Sequence, residues 1–87
     1  MLQWEYCSIQ YHDSGDLTYY LYGQRDLEEQ VLYQGGDEQQ ANTITSRCVA
    51  LLGLHGWEAI TVIRRDDGME HWYFKRRIQP SNKYLSF

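Results

Sequence analysis

Proline occurs once in 87 residues, cysteine and phenylalanine twice each, and there is no long apolar run. A single proline excludes polyproline segments and stiff linkers. The two cysteines, Cys7 and Cys48, lie far apart and belong to no C-x-x-C unit, so neither a zinc ribbon nor a dithiol redox motif can be drawn. Buried free thiols are the expectation; a single Cys7–Cys48 disulfide is the alternative in an oxidising compartment. Nothing approaches the ~20 apolar residues of a membrane-spanning helix. The start, Met1-Leu2-Gln3-Trp4-Glu5, lacks the basic and apolar regions of a secretory signal. The expectation is a soluble, cytoplasmic protein with no membrane partner.

Other absences narrow the chemistry. Gly35-Gly36 runs into Asp37-Glu38, whose charge would repel a phosphate, so no nucleotide cradle is present. His12, His55 and His71 are scattered, without the H-x-x-x-H or Cys/His spacing of metal ligands. Asp13, Asp16, Asp66 and Asp67 fall in turns, where aspartate serves backbone geometry, so no acid/base pair can be assigned. Cys48 and His55 invite a thiol–imidazole reading, but one lies on the apolar stripe of a helix and the other beyond its end. No catalytic residue, cofactor or metal is implied, and the chain reads as a non-enzyme.

What is present is tyrosine and tryptophan. Aromatics make up 15%, with eight Tyr and three Trp beside two Phe, so most aromatic area carries a polar tip suited to half-wet surfaces and interfaces. The formal charge of -4 disfavours a phosphate-backbone partner unless a local basic patch meets it.

Along the chain, 2–11 and 17–22 read as strands around the turn Asp13-Ser14-Gly15-Asp16. Within 24–36, Leu27, Val31 and Leu32 suit a helical turn while Glu29, Val31 and Tyr33 suit an alternating strand, and a short strand is preferred. Asp37 can cap a helix, with Gln40 completing a capping box. Ala41, Ile44, Cys48, Leu51 and Leu52 then form its apolar stripe, and Gly53 with Leu54 would end it in a Schellman turn. Strands at 57–65 and 69–78 follow, joined by Asp66-Asp67-Gly68. A three-residue loop with Gly68 left-handed pairs Val62 with Trp72, Ile60 with Phe74, Arg64 with Glu70 and Glu58 with Arg76. A two-residue primed turn would pair Ile63 with Trp72 and Thr61 with Phe74. The three-residue loop is preferred because its outer pairs join opposite charges, each contributing about 0.2 to 1 kcal/mol.

The expected fold is one α+β domain over residues 1–87. It is an antiparallel sheet of four or five strands with one helix packed on one face, in the order ββ(β)αββ, and residues 78–87 form a frayed or docking tail. One helix covers one face only. The other face holds a selection of Ala59, Thr61, Ile63 and Tyr73 with either Tyr20 and Tyr22 or Tyr19 and Leu21, an apolar patch of the kind that marks an interface. Candidate interface residues are therefore Tyr19, Tyr20, Tyr22 and Tyr73. The expectation is a homodimer, with another protein partner left open. The competing reading is a single-stranded nucleic-acid surface. Arg64-Arg65 and Lys75-Arg76-Arg77 lie on adjacent strands interleaved with aromatics, which gives Arg64, Arg65, Trp72, Tyr73, Lys75 and Arg77 as its candidates.

Three short segments carry a resemblance: Trp4-Glu5-Tyr6, then Leu52-Gly53-Leu54-His55-Gly56-Trp57-Glu58, then Phe74-Lys75-Arg76. In this order they resemble a small, mostly bacterial family of uncharacterised domains with the pattern WEY, L-N-x-L-G-x-x-G-W-E and F-K-R. Ala50 stands where that pattern has Asn, and His12 to Gln40 has no counterpart in it. The resemblance implies a strand, helix, hairpin order, with Gly53 stopping the helix, Gly56 turning the chain and Trp57 locking the corner. It implies no catalytic residue.

Overall fold

The computed structural model describes residues 4–22, 27–66 and 68–78. The expected tail from 79 onward and the start of the third strand at 24–26 lie outside the described residues. Strands β1 (Trp4–Tyr11), β2 (Leu17–Tyr22) and β3 (Leu27–Tyr33) precede helix α1 (Glu38–Leu54), and β4 (Glu58–Arg64) and β5 (Glu70–Arg77) follow it. All five strands join one antiparallel sheet in the order β3-β2-β1-β5-β4, with the N-terminal strand at its centre. The fold is α+β, a five-stranded sheet with one helix.

Alternation along β1 and β2 chooses the covered face. Cys7, Ile9 and Tyr11 pair with Leu21, Tyr19 and Leu17, and all six are buried with Phe74 from β5. Onto them α1 sets Ala41, Thr45, Cys48 and Leu52, while Trp57 and Met69 complete the cluster. The stripe centre differs from the sequence expectation: Ile44 is half-buried and Leu51 is 42% exposed, whereas Thr45 is buried. Positions 41, 45, 48 and 52 are the ones that superpose at 3.6 residues per turn. Thr45 is tolerated there because its hydroxyl donates to the Ala41 carbonyl at 2.9 Å.

Both ends of α1 are stated in local chemistry. Asp37 accepts from the Gln39 and Gln40 amides, as a cap should. At the other end Gly53 does not stop the helix. Gly56 N donates to Gly53 O at 3.1 Å and Trp57 N to Leu52 O at 3.0 Å, the bond pattern of a Schellman ending with Gly56 as its left-handed residue at φ 85°. The buried pair Leu52 and Trp57 supplies the apolar contact that accompanies the motif, which a Gly53 stop with Leu54, 83% exposed, would lack.

The β4–β5 loop takes the three-residue form: Arg65 N donates to Met69 O, Gly68 N to Arg65 O, and Gly68 is left-handed. Val62 faces Trp72 and Arg64 faces Glu70 as that loop requires. A bulge between Ala59 and Thr61 then shifts the remainder, so that Ala59 rather than Ile60 faces Phe74, and Glu58 faces Lys75 rather than Arg76. A bulge admits one extra residue on one strand; here Arg76 is already engaged on the other face of β5.

Candidate interaction surface

The three motif segments meet at one corner. Arg76 donates through Nε to Glu5 Oε1 at 2.7 Å, with its Nη2 at 2.6 Å from the same oxygen. Its Nη1 donates to the His55 carbonyl at 3.0 Å, and its guanidinium lies 4.4 Å from the centre of the Trp57 ring. Glu5 and Arg76 are both buried. The pair therefore ties the helix exit to the two central strands and holds Trp57 over the sheet; the Trp57 indole N–H itself has no acceptor among the described residues. Cys7 and Tyr19 sit beside this pair on the helix side of the sheet, both buried. Burial pushes the Cys7 thiol up to about 12, and it also raises Tyr19. Cys48, likewise free and buried, is pushed up to about 11 by desolvation. Thiols held this high are poor nucleophiles. His55 is the exposed C-cap of α1.

The face turned away from α1 is built in cross-strand rows. Leu27, Tyr22, Tyr6, Lys75 and Glu58 form one row across all five strands, and Glu29, Tyr20, Ser8, Tyr73 and Thr61 the next. Ser8 and Thr18 lie on this face yet are 0% and 2% exposed, so the larger side chains around them form a layer over the sheet. Ser8 Oγ is 3.3 Å from the Tyr22 hydroxyl and accepts from Gln10 Nε2 at 3.1 Å. The Tyr20 and Tyr22 rings stack at 6.4 Å between centroids, and the Tyr20 hydroxyl meets His12 Nε2 at 3.0 Å. Lys75 Nζ lies 4.5 Å over the Trp4 ring. Burial, followed by the nearby Glu29 carboxylate, raises the Tyr20 phenol.

Of the candidate interface residues, Tyr20, Tyr22 and Tyr73 share this open face. Tyr19 does not: it is 3% exposed beneath α1, because strand alternation sends neighbouring tyrosines to opposite faces. Thr61 and Ile63 are on the open face, whereas the bulge turns Ala59 to the helix side opposite Phe74. The open face also carries Trp4, Tyr6, Leu27 and Val31, each exposed, which sequence reasoning missed. Their parity with Tyr20 and Tyr22 would have placed them once the pairing of β1 and β3 with β2 was known.

The candidate nucleic-acid residues are not brought together. Tyr73, Lys75 and Arg77 are on the open face, but Trp72 pairs with Ile9 and Val62 on the helix side, and Arg64 pairs with Glu70 there. Arg65 bonds to Asp13 and to the Tyr11 carbonyl, which His71 Nε2 also meets at 2.8 Å. These contacts tie the two hairpin turns together. Lys75 and Arg77 share their face with Glu29 and Glu58, so no basic stripe results.

Edge strand β4 is the least covered element. Every residue from Glu58 to Arg64 is exposed, with Ile60 at 51%, Val62 at 38% and Ile63 at 52%. Between α1 and the β4–β5 hairpin a groove of about 480 Å³ is lined by Thr45, Val49, Arg64, Glu70 and Trp72 among others. The helix therefore stops short of the sheet edge. Among the described residues no three His, Cys, Asp or Glu side chains cluster as metal ligands would, and no helix is long and apolar enough to cross a membrane. No family model, curated protein or solved structure matches the chain.

Proposed function

We propose that this chain is a non-enzymatic interaction module of the cytoplasm that self-associates through the part of its sheet that α1 leaves uncovered. The observation that carries this reading is the placement of exposed apolar and aromatic side chains. Trp4, Tyr6, Tyr22, Leu27, Val31 and Ile63 share the open face, and Ile60 and Val62 lie on the adjoining edge strand. Singly scattered exposed hydrophobics need no explanation, but Leu27, Tyr22 and Tyr6 are neighbours in one cross-strand row with Trp4 beside them, and adjoining apolar side chains mark an interaction surface. Tyrosine suits such a surface because its ring packs while its hydroxyl stays satisfied in either the free or the bound state. Two buried free thiols fit a reducing compartment.

The test is solution mass by light scattering at tens of micromolar. A dimer is the expected species, and a charge set on the uncovered surface without touching the core should weaken it: Tyr73→Glu where the open face makes the contact, Val62→Lys where the edge strand does. A monomer at these concentrations removes the reading.

A further inference from the structure

The sheet has two edges, and they differ in how they are protected. Natural edge strands avoid pairing with other chains by carrying charge on the edge. On β3, Glu28 and Glu29 are opposite Leu21 and Tyr20, one acid to each face, so two copies meeting there would set like charges together. β4 reads Glu58-Ala59-Ile60-Thr61-Val62-Ile63-Arg64: five uncharged residues, all exposed, with an acid at one end and a base at the other. Its bulge lies between Ala59 and Thr61, which leaves the stretch from Thr61 to Arg64 regular.

The outward backbone can be assigned. Arg65 N donates inward to Met69 O, and in an antiparallel ladder inward and outward residues alternate. Arg64 and Val62 therefore direct their amide and carbonyl groups away from β5, into the space beyond the sheet.

We propose that β4 is the seam of a twofold dimer, in which a second copy adds its own β4 antiparallel about Val62 and joins the two sheets into one. Val62 then pairs with Val62 of the second copy, and Thr61 with Ile63 of the second copy on the open face. The two Glu58 side chains then lie at opposite ends of the seam, as do the two Arg64, whereas a parallel arrangement would set Glu58 against Glu58 and Arg64 against Arg64. The stretch that meets itself, Ala59 to Ile63, carries no charge. A second copy therefore meets no like charge at β4, where at β3 it would meet Glu28 and Glu29. The twofold axis stands normal to the sheet, so the aromatic faces of both copies become one continuous surface.

The inference rests on the self-association reading, and the experiment separates the two. The intact chain is measured by light scattering beside Val62→Lys, which changes a side chain already 38% exposed, and Tyr73→Glu on the open face. Val62→Cys and Ile63→Cys are placed under mild oxidation. A self-paired residue on the axis has Cα atoms about 5.5 Å apart, within disulfide range, whereas Ile63 lies two steps off its symmetry mate and beyond about 7 Å. Expected are a dimer for the unaltered chain, a monomer of unchanged circular dichroism for Val62→Lys, and covalent dimer for Val62→Cys at least ten-fold above Ile63→Cys. A dimer that survives Val62→Lys and dissociates on Tyr73→Glu overturns the β4 seam while leaving self-association intact. A monomeric parent chain overturns both. Should Val62→Lys fail to fold, absence of the Val62→Cys cross-link overturns the seam by itself.

Discussion

Arg76 holds the corner through three different contacts: an ion pair to Glu5, a bond to the His55 carbonyl and a stack on Trp57. An ion pair this buried gains little over an apolar substitute of similar volume, but removing one partner strands the other charge out of water. Glu5→Ala or Arg76→Ala should therefore cost about 3–5 kcal/mol in urea denaturation, a large share of the stability of so small a domain. Replacing both residues together with Met should cost much less than the sum of the two, because the pair acts as a unit. The buried thiols make a second residue-scale statement. Cys7 and Cys48 are pushed above the ordinary thiol value, to about 12 and about 11, so folding favours their protonated forms. That contribution is fully present below about pH 9, the unfolded value, and is lost as pH climbs through 11 to 12. Unfolding free energy should fall between pH 8.5 and 10.5, and Cys48→Ala should lessen the slope; equal slopes would place the loss elsewhere.

At the scale of elements, the two glycines near the end of α1 have opposite roles. Gly53 lies inside the helix, and a Cβ built on it meets nothing within 4 Å. Gly53→Ala should stabilise by about 0.5–1 kcal/mol through lost chain entropy in the unfolded state. Gly56 is left-handed at φ 85°, where an alanine is strained; Gly56→Ala should destabilise by about 1–2 kcal/mol. Thermal melts of the two variants should move in opposite directions from the parent, and two shifts of the same sign would contradict the assigned helix end. These glycines also show what could be read from residues alone. The Asp37 cap, the left-handed Gly68 and the Val62–Trp72 pairing were legible because each depends on neighbours within a few positions. The helix end was misplaced by three residues because Gly53 and Gly56 are equal candidates locally, and the contact of Trp57 with Leu52 decides between them. The Ala59–Thr61 bulge was invisible for a similar reason, since nothing in Glu58 to Ile63 announces an extra residue.

For the whole molecule, the excess of tyrosine resolves into two populations. Tyr11 and Tyr19 pack under α1, while Tyr6, Tyr20, Tyr22 and Tyr73 pave the opposite face and bury Ser8 and Thr18 beneath them. The existence of an uncovered aromatic face was legible from counting one helix against one sheet. Which tyrosines occupy it was not, because a single-residue change of register exchanges the faces. The basic cluster dispersed for the same reason: Arg64 and Trp72 have the helix-side parity, and Arg65 is held by the β1–β2 turn. What remains is an aromatic face of mixed charge beside an exposed edge strand that is uncharged from Ala59 to Ile63. The measurement that bears most directly on this is the solution mass of the unaltered chain by light scattering at tens of micromolar. A mass of twice the 10.4 kDa chain is the expected result; a single 10.4 kDa species that holds to 100 µM would contradict it.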